Sequence, residues 1–134
     1  MKIQVSTDYA IRILQYLHEN EKALPTAMTI SQAVGITYPF FIKIAHMLKQ
    51  KGLVCAVQGR NGGYQLAKPA SQISFYDVYL AIEGELRLNR CLQDSSHCSR
   101  DRDTKCHLRG FIGSMQEDLI TKMSKKSVLD LLGT

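Results

Sequence analysis

The sequence predicts a mainly α-helical chain with one small β-hairpin and a long helix near its C-terminus, and three observations carry that expectation. Apolar residues recur at helical spacing in several separate segments. Leu53 to Val57 and Tyr64 to Ala67 read as two strands joined by Gly59-Arg60-Asn61-Gly62-Gly63, whose Asn-Gly step favours a hairpin. A last stripe of Leu108, Phe111, Ile112, Met115, Leu119 and Met123 continues for about four turns. The 134 residues allow one compact domain with an extension, and are short for two independent ones.

The elements follow in order from their caps. Ser6 or Thr7 is expected to cap a first helix over about residues 8–19, with Ala10, Ile11, Ile13, Leu14 and Leu17 on its apolar face. Pro25 then breaks the pattern. Thr29 and Gln32 have capping-box spacing and are expected to open a short helix ending near Val34 and Gly35. Thr37 caps a third helix that carries Pro39 in its first turn, where a missing N–H costs little, and that runs to about Gln50 with Gly52 at its end. Phe40, Phe41, Ile44, Ala45 and Leu48 are its core positions. After the hairpin, Ser74 and Asp77 start a fourth helix to about Glu83, closed by Gly84. Residues 85–107 show no period, and a short final helix is expected near Ser127 to Leu132.

Composition narrows the class. With 45% apolar and 22% charged residues the chain has the make-up of a soluble globular protein, not of a disordered or fibrous one. No apolar run is long enough to cross a membrane, and Met1 to Ala10 has no signal-peptide core, so a cytoplasmic location is expected. Four Cys in such a chain favour thiolate chemistry or metal binding over structural disulfides.

The formal net charge of +5 is unevenly placed. No acidic residue lies between Glu21 and Asp77, while Lys22, Lys43, Lys49, Lys51, Arg60 and Lys68 fall inside that block. Such a block holds the field that attracts a polyanion. Helix, short helix, tight turn, helix and hairpin is also the order of a winged helix-turn-helix, which places its second motif helix in the DNA major groove. Thr37, Tyr38, Pro39 and Lys43 would lie on the leading turns of that helix, and Gln58, Arg60 and Asn61 at the wing tip, whose glycines would allow close approach to DNA.

Cys91, Cys98 and Cys106 are spaced too widely for a zinc ribbon. Three thiolates on an irregular loop suit a larger inorganic core such as an iron–sulfur cluster; reactive redox thiols and inert cysteines remain the alternatives. Basic residues outnumber Asp94, Asp101 and Asp103 between Arg87 and Arg109, which favours thiolates. Cys55, within an apolar strand, reads as a small core residue. No pairing of general base and nucleophile is identifiable, so nothing in the sequence supports an enzyme.

Ser6-Thr7-Asp8-Tyr9-Ala10-Ile11-Arg12, Gly52-Leu53-Val54, the wing Gly59-Arg60-Asn61-Gly62-Gly63-Tyr64-Gln65-Leu66 and the three later Cys together resemble the Rrf-two-type transcription regulators, which include IscR, NsrR and CymR. The resemblance covers nearly the whole chain and is nearest to the NsrR-like branch. It implies a dimeric winged-helix regulator, a repressor, binding double-stranded DNA at a roughly palindromic operator. It further implies an iron–sulfur cluster, of the four-iron or two-iron type, that senses nitric oxide, redox or iron–sulfur status. Cys91, Cys98 and Cys106 would be ligands, with Asp8 of the other protomer matching the place of the fourth. The His that serves in the IscR branch falls at Arg109 here, and His107 stands as the alternative to Asp8. Two departures are visible: a longer Cys98 to Cys106 interval than the NsrR-like pattern, and Gln58 where many family wings carry Arg. The resulting division is residues 1–84 for DNA binding, 85–107 for the sensor loop and 108–134 for dimerisation. A cluster-free regulator using a Cys thiol switch or a protein partner is the competing expectation.

Overall fold

The computed structural model describes residues 2–92 and 106–132. Helix α1 spans Val5–Glu19, α2 Ala27–Val34 and α3 Tyr38–Gln50; strands β1 (Val54–Val57) and β2 (Gly63–Leu66) follow, then α4 (Phe75–Glu83) and α5 (His107–Lys125). Short 3-10 turns lie at Ala70–Gln72, Arg90–Leu92 and Asp130–Leu132. This is a mainly helical fold with a two-stranded antiparallel hairpin, in the register Val54 opposite Leu66 and Val57 opposite Gly63. Among the described residues no helix is long and apolar enough to cross a membrane.

Two helix starts differ from the sequence expectation. Helix α1 begins at Val5 with Gln4 at the cap position and no capping side chain of its own, while Ser6 and Thr7 lie inside the first turn. The cap comes from across the fold. A carboxylate oxygen of Glu83, at the end of α4, accepts from the Gln4 N–H at 3.3 Å and from the Thr7 hydroxyl. A carboxylate at a helix N-terminus both satisfies orphan donors and suits the helix dipole. In α2 the cap is Thr26, whose Oγ1 accepts from the Thr29 N–H at 3.2 Å, so Thr29 and Gln32 sit within the helix. The remaining caps are as expected. Gly35 closes α2 at φ +83°, Thr37 accepts from the Phe40 N–H at 3.3 Å, and Ser74 and Asp77 form a reciprocal capping box.

The main core gathers Ile13, Leu14 and Leu17 of α1, Ile30 of α2, Phe41, Ile44 and Leu48 of α3, and Ile73 and Val78 around α4. Tyr64 of β2 meets Phe41 edge to face at 5.2 Å, which seats the hairpin on α3. Phe40 is only half-buried, because it turns towards Tyr9 of α1 in an edge contact at 5.9 Å. Cys55 is also half-buried, since it follows the buried Val54 on the opposite face of the strand.

A second, smaller core of Tyr79, Leu86 and Met123, with Leu119 and Ile120 against it, packs α5 onto α4. The apolar stripe of α5 is therefore divided. Its last turns serve the protomer's own core, whereas Leu108, Phe111 and Met115 remain exposed. Past α5 the chain returns to the main core. Val128 is fully buried and its N–H donates to the Ile73 carbonyl at 2.8 Å. The final segment is a 3-10 turn whose Ser127 and Asp130 exchange hydrogen bonds, and these hold the Asp130 carboxyl below its ordinary range.

Candidate nucleic-acid interface and cysteine site

Burial fixes the orientation of α3. With Phe41, Ile44, Ala45 and Leu48 inside, Tyr38, Pro39, Ile42, Lys43 and His46 are exposed. The N-terminal half of this helix thus presents the expected Tyr38, Pro39 and Lys43 together, with Thr37 at its cap. Gln58, Arg60 and Asn61 are exposed at the hairpin tip, where the Gly62 N–H donates to the Gly59 carbonyl at 3.0 Å. Lys22, Lys43, Lys49, Lys51, Arg60 and Lys68 are all exposed, and none forms an ion pair among the described residues. Lys43 on α3 and Arg60 at the hairpin tip are exposed cations of the kind a phosphate backbone attracts, whereas Lys51 and Lys68 line a pocket together with Asp77 and Glu85.

Two of the wing glycines, Gly62 and Gly63, serve the protein's own packing. A Cβ at Gly62 would collide with the Val57 carbonyl oxygen, and one at Gly63 with the Leu24 and Pro25 carbonyls. The Tyr64 N–H donates to the Pro25 carbonyl at 2.9 Å, so the hairpin is pinned to the α1–α2 connection. Leu24 holds φ +48°, an uncommon left-handed conformation for a branched side chain. The sequence showed the break at Pro25 but gave no sign of this contact.

Cys91 lies in the Arg90–Leu92 turn and Cys106 at the N-cap of α5; both are half-buried free thiols. Cys98 is outside the described residues. The Cys106 sulfur accepts from the Arg109 N–H at 3.4 Å, which places it at the cap of α5. Leu92, Cys106, Arg109, Gly110, Gly113, Ser114 and Glu117 line an open groove of about 420 Å³ along the start of α5. Cys106 and the neighbour of Cys91 therefore share one opening. A cysteine sulfur beside such a space is the donor type that an iron–sulfur core takes, and of the expected ligands Cys106 is the one that lines it among the described residues.

Asp8 lies on α1, about half exposed, with its carboxylate held by the Arg12 guanidinium through contacts of 3.2 and 3.0 Å. Arg12 in turn sits over the Tyr9 ring at 5.0 Å. His107 is exposed on the first turn of α5. No group of three or more potential metal ligands is assembled among the described residues.

The pattern of the Rrf2 family, described as iron-dependent transcriptional regulators, matches residues 3–134. The chain belongs to the Rrf2 family. Members of that family are transcription regulators, not enzymes. Protein aau3 of Rhizobium meliloti (strain 1021) is 37% identical over 93 residues, covering 69% of this chain and 60% of that protein, so the match spans only part of the relative's length. Among solved structures, T. potens IscR superposes with a TM-score of 0.74 at 18% identity, over 98% of this chain and 86% of its own. CymR of B. subtilis, the global cysteine regulator, gives 0.75 at 20% identity over 98% and 95%. The oxidised form of Staphylococcus aureus CymR gives 0.73 at 20% over 100% and 98%. At these identities the likenesses concern the fold. They match this Rrf2 chain along almost its full length.

Proposed function

We propose that this Rrf2 protein is a cytoplasmic homodimeric repressor whose DNA affinity is set by an iron–sulfur cluster. Residues 1–84 bind the operator, 85–107 form the sensor loop and 108–134 dimerise the chain. Tyr38 and Lys43 reach base edges and phosphates from α3 in the major groove, with Thr37 and Pro39 on its leading edge, while Gln58, Arg60 and Asn61 follow the adjacent backbone or minor groove. Two-fold symmetry then asks for a roughly palindromic site. The observation that carries this reading is the exposure of Tyr38, Pro39 and Lys43 on α3 and of Gln58, Arg60 and Asn61 at the hairpin tip, with Lys43 and Arg60 free of ion pairs among the described residues.

Cys91, Cys98 and Cys106 are the proposed cluster ligands, joined by Asp8 of the other protomer, which must leave Arg12 to serve; His107 is the alternative. When bound, the cluster supplies iron that reacts with nitric oxide and oxidants. Asp8 from one α1 and the cysteines of the other protomer then hold the two subunits together and fix the spacing of the two α3 helices. Release of Asp8 to Arg12 relaxes that spacing, and only a difference in DNA affinity between the two arrangements makes a switch.

Anaerobic reconstitution, with visible absorption, iron and sulfide assay and DNA titration before and after nitric oxide, tests the proposal. Wild type should take up cluster and change DNA affinity when it is lost; Cys91→Ser, Cys98→Ser and Cys106→Ser should not load. Asp8→Ala should weaken loading more than His107→Ala. Absence of iron and sulfide from reconstituted wild type would leave the thiol switch in its place.

A further inference from the structure

We propose that α3 reads thymine methyl groups, with Ile42 as the specificity-determining side chain and Tyr38 beside it. This rests on the reading that α3 enters the major groove and names what it reads there. Ile42 is 37% exposed and Tyr38 47%, one helical turn apart on the same side of α3. They form an apolar edge among Pro39, Lys43 and His46, all exposed, on a helix whose opposite face is spent on the core.

A lone exposed aliphatic residue is ordinary on a protein surface. The chemistry of its neighbours makes this one informative. From Thr37 to His46 the chain contains no Asn, Gln, Asp, Glu or Arg. Those are the side chains that pair with adenine, cytosine or guanine edges, bidentately for adenine and guanine. The Thr37 hydroxyl accepts from the Phe40 N–H and keeps a single proton to donate, and Lys43 offers a point charge to guanine or phosphate, so neither gives the paired contacts that fix a base. Thymine alone presents an apolar group in the major groove, its C5-methyl. An apolar edge at the leading end of this helix therefore matches that base.

The test uses the full chain. Binding sites are selected from a randomised duplex library, and each selected thymine is then replaced by uracil, which removes the methyl and keeps every pairing group. At one or two thymines per half-site the replacement should weaken binding about fourfold, the value of one buried methyl group. Ile42→Ala should bind the thymine and uracil duplexes equally at those positions, with its salt dependence and thermal midpoint unchanged. Ile42→Gln should move the selected base towards adenine. Selected sites without thymine, uracil replacements that are neutral throughout, or an Ile42→Ala protein that keeps the wild-type uracil penalty would each overturn the proposal. A library from which no sequence is selected would instead overturn the placement of α3 in the groove, and this inference with it.

Discussion

At the scale of single residues, Glu83 does more than its place at the end of α4 suggests. Thr7 is fully buried, and its hydroxyl donates to the Glu83 carboxylate, which also takes the Gln4 N–H. Removing the acceptor strands a buried donor, and that loss exceeds the net worth of the hydrogen bond itself. Glu83→Ala should cost about 1–3 kcal/mol in denaturant unfolding, while Glu83→Gln, which keeps an acceptor oxygen, should lose less. Equal losses in the two variants would show that the carboxylate charge, not acceptance, matters. Two tyrosines give a pH signature. Burial raises the Tyr64 phenol above its ordinary value of 10.0, helped by Tyr38, and burial raises Tyr79, helped by Glu83 and Tyr76. The unfolded chain ionises first, so stability is fully present below pH 10 and falls as pH rises through the folded values. Unfolding midpoints across the alkaline range should show that fall, and Tyr64→Phe and Tyr79→Phe should each flatten it.

At the scale of elements, the hairpin shows what a glycine is for. The sequence assigned the wing glycines to close approach by DNA, whereas Gly62 and Gly63 face the chain's own carbonyls. Backbone oxygens at Leu24 and Pro25 cannot swing aside as a flexible side chain would. Gly63→Ala should therefore push the hairpin off the α1–α2 connection at a cost of about 1–3 kcal/mol, and amide exchange at Tyr64 should rise as its bond to Pro25 is lost. Unchanged exchange would mean that the connection yields instead. The same contrast explains what was legible beforehand. Thr37, the Ser74–Asp77 box and Gly35 act within a few residues and were visible from spacing. The cap of α1 lies 79 residues away on Glu83, and the seat of the wing lies on Pro25, so neither leaves a local pattern. For the same reason the chain shows where α3 and the wing tip present Tyr38, Lys43 and Arg60, while the uniform stripe on α5 hid its division into an inner and an outer part.

At the scale of the whole molecule that division bears on the proposed dimer. Met123, with Leu119, belongs to the core shared with α4, but Phe111 is 62% exposed, Leu108 47% and Met115 42%. The three lie on successive turns of α5 and form one apolar strip. Gly110 has nothing within 4 Å of where its Cβ would be, and at Gly113 the nearest atom is a Leu92 methyl at 3.7 Å. The protomer's own packing thus asks for neither glycine, although each weakens a helix by about 0.5–1 kcal/mol relative to alanine. A second copy of α5 laid along this strip would use both the exposed apolar groups and the room beside them. Phe111→Glu places a charge where that contact forms and touches nothing in the protomer's core, so the unfolding free energy should stay within about 0.5 kcal/mol of wild type. Sedimentation should then show a monomer. Each monomer keeps its α3 and wing but engages one half-site alone, so operator affinity should fall about 10²-fold or more, the loss expected when two linked contacts become one. A Phe111→Glu protein that still sediments as a dimer would place the interface elsewhere. A monomer with undiminished affinity would remove the two-fold arrangement on which the spacing of the recognition helices depends.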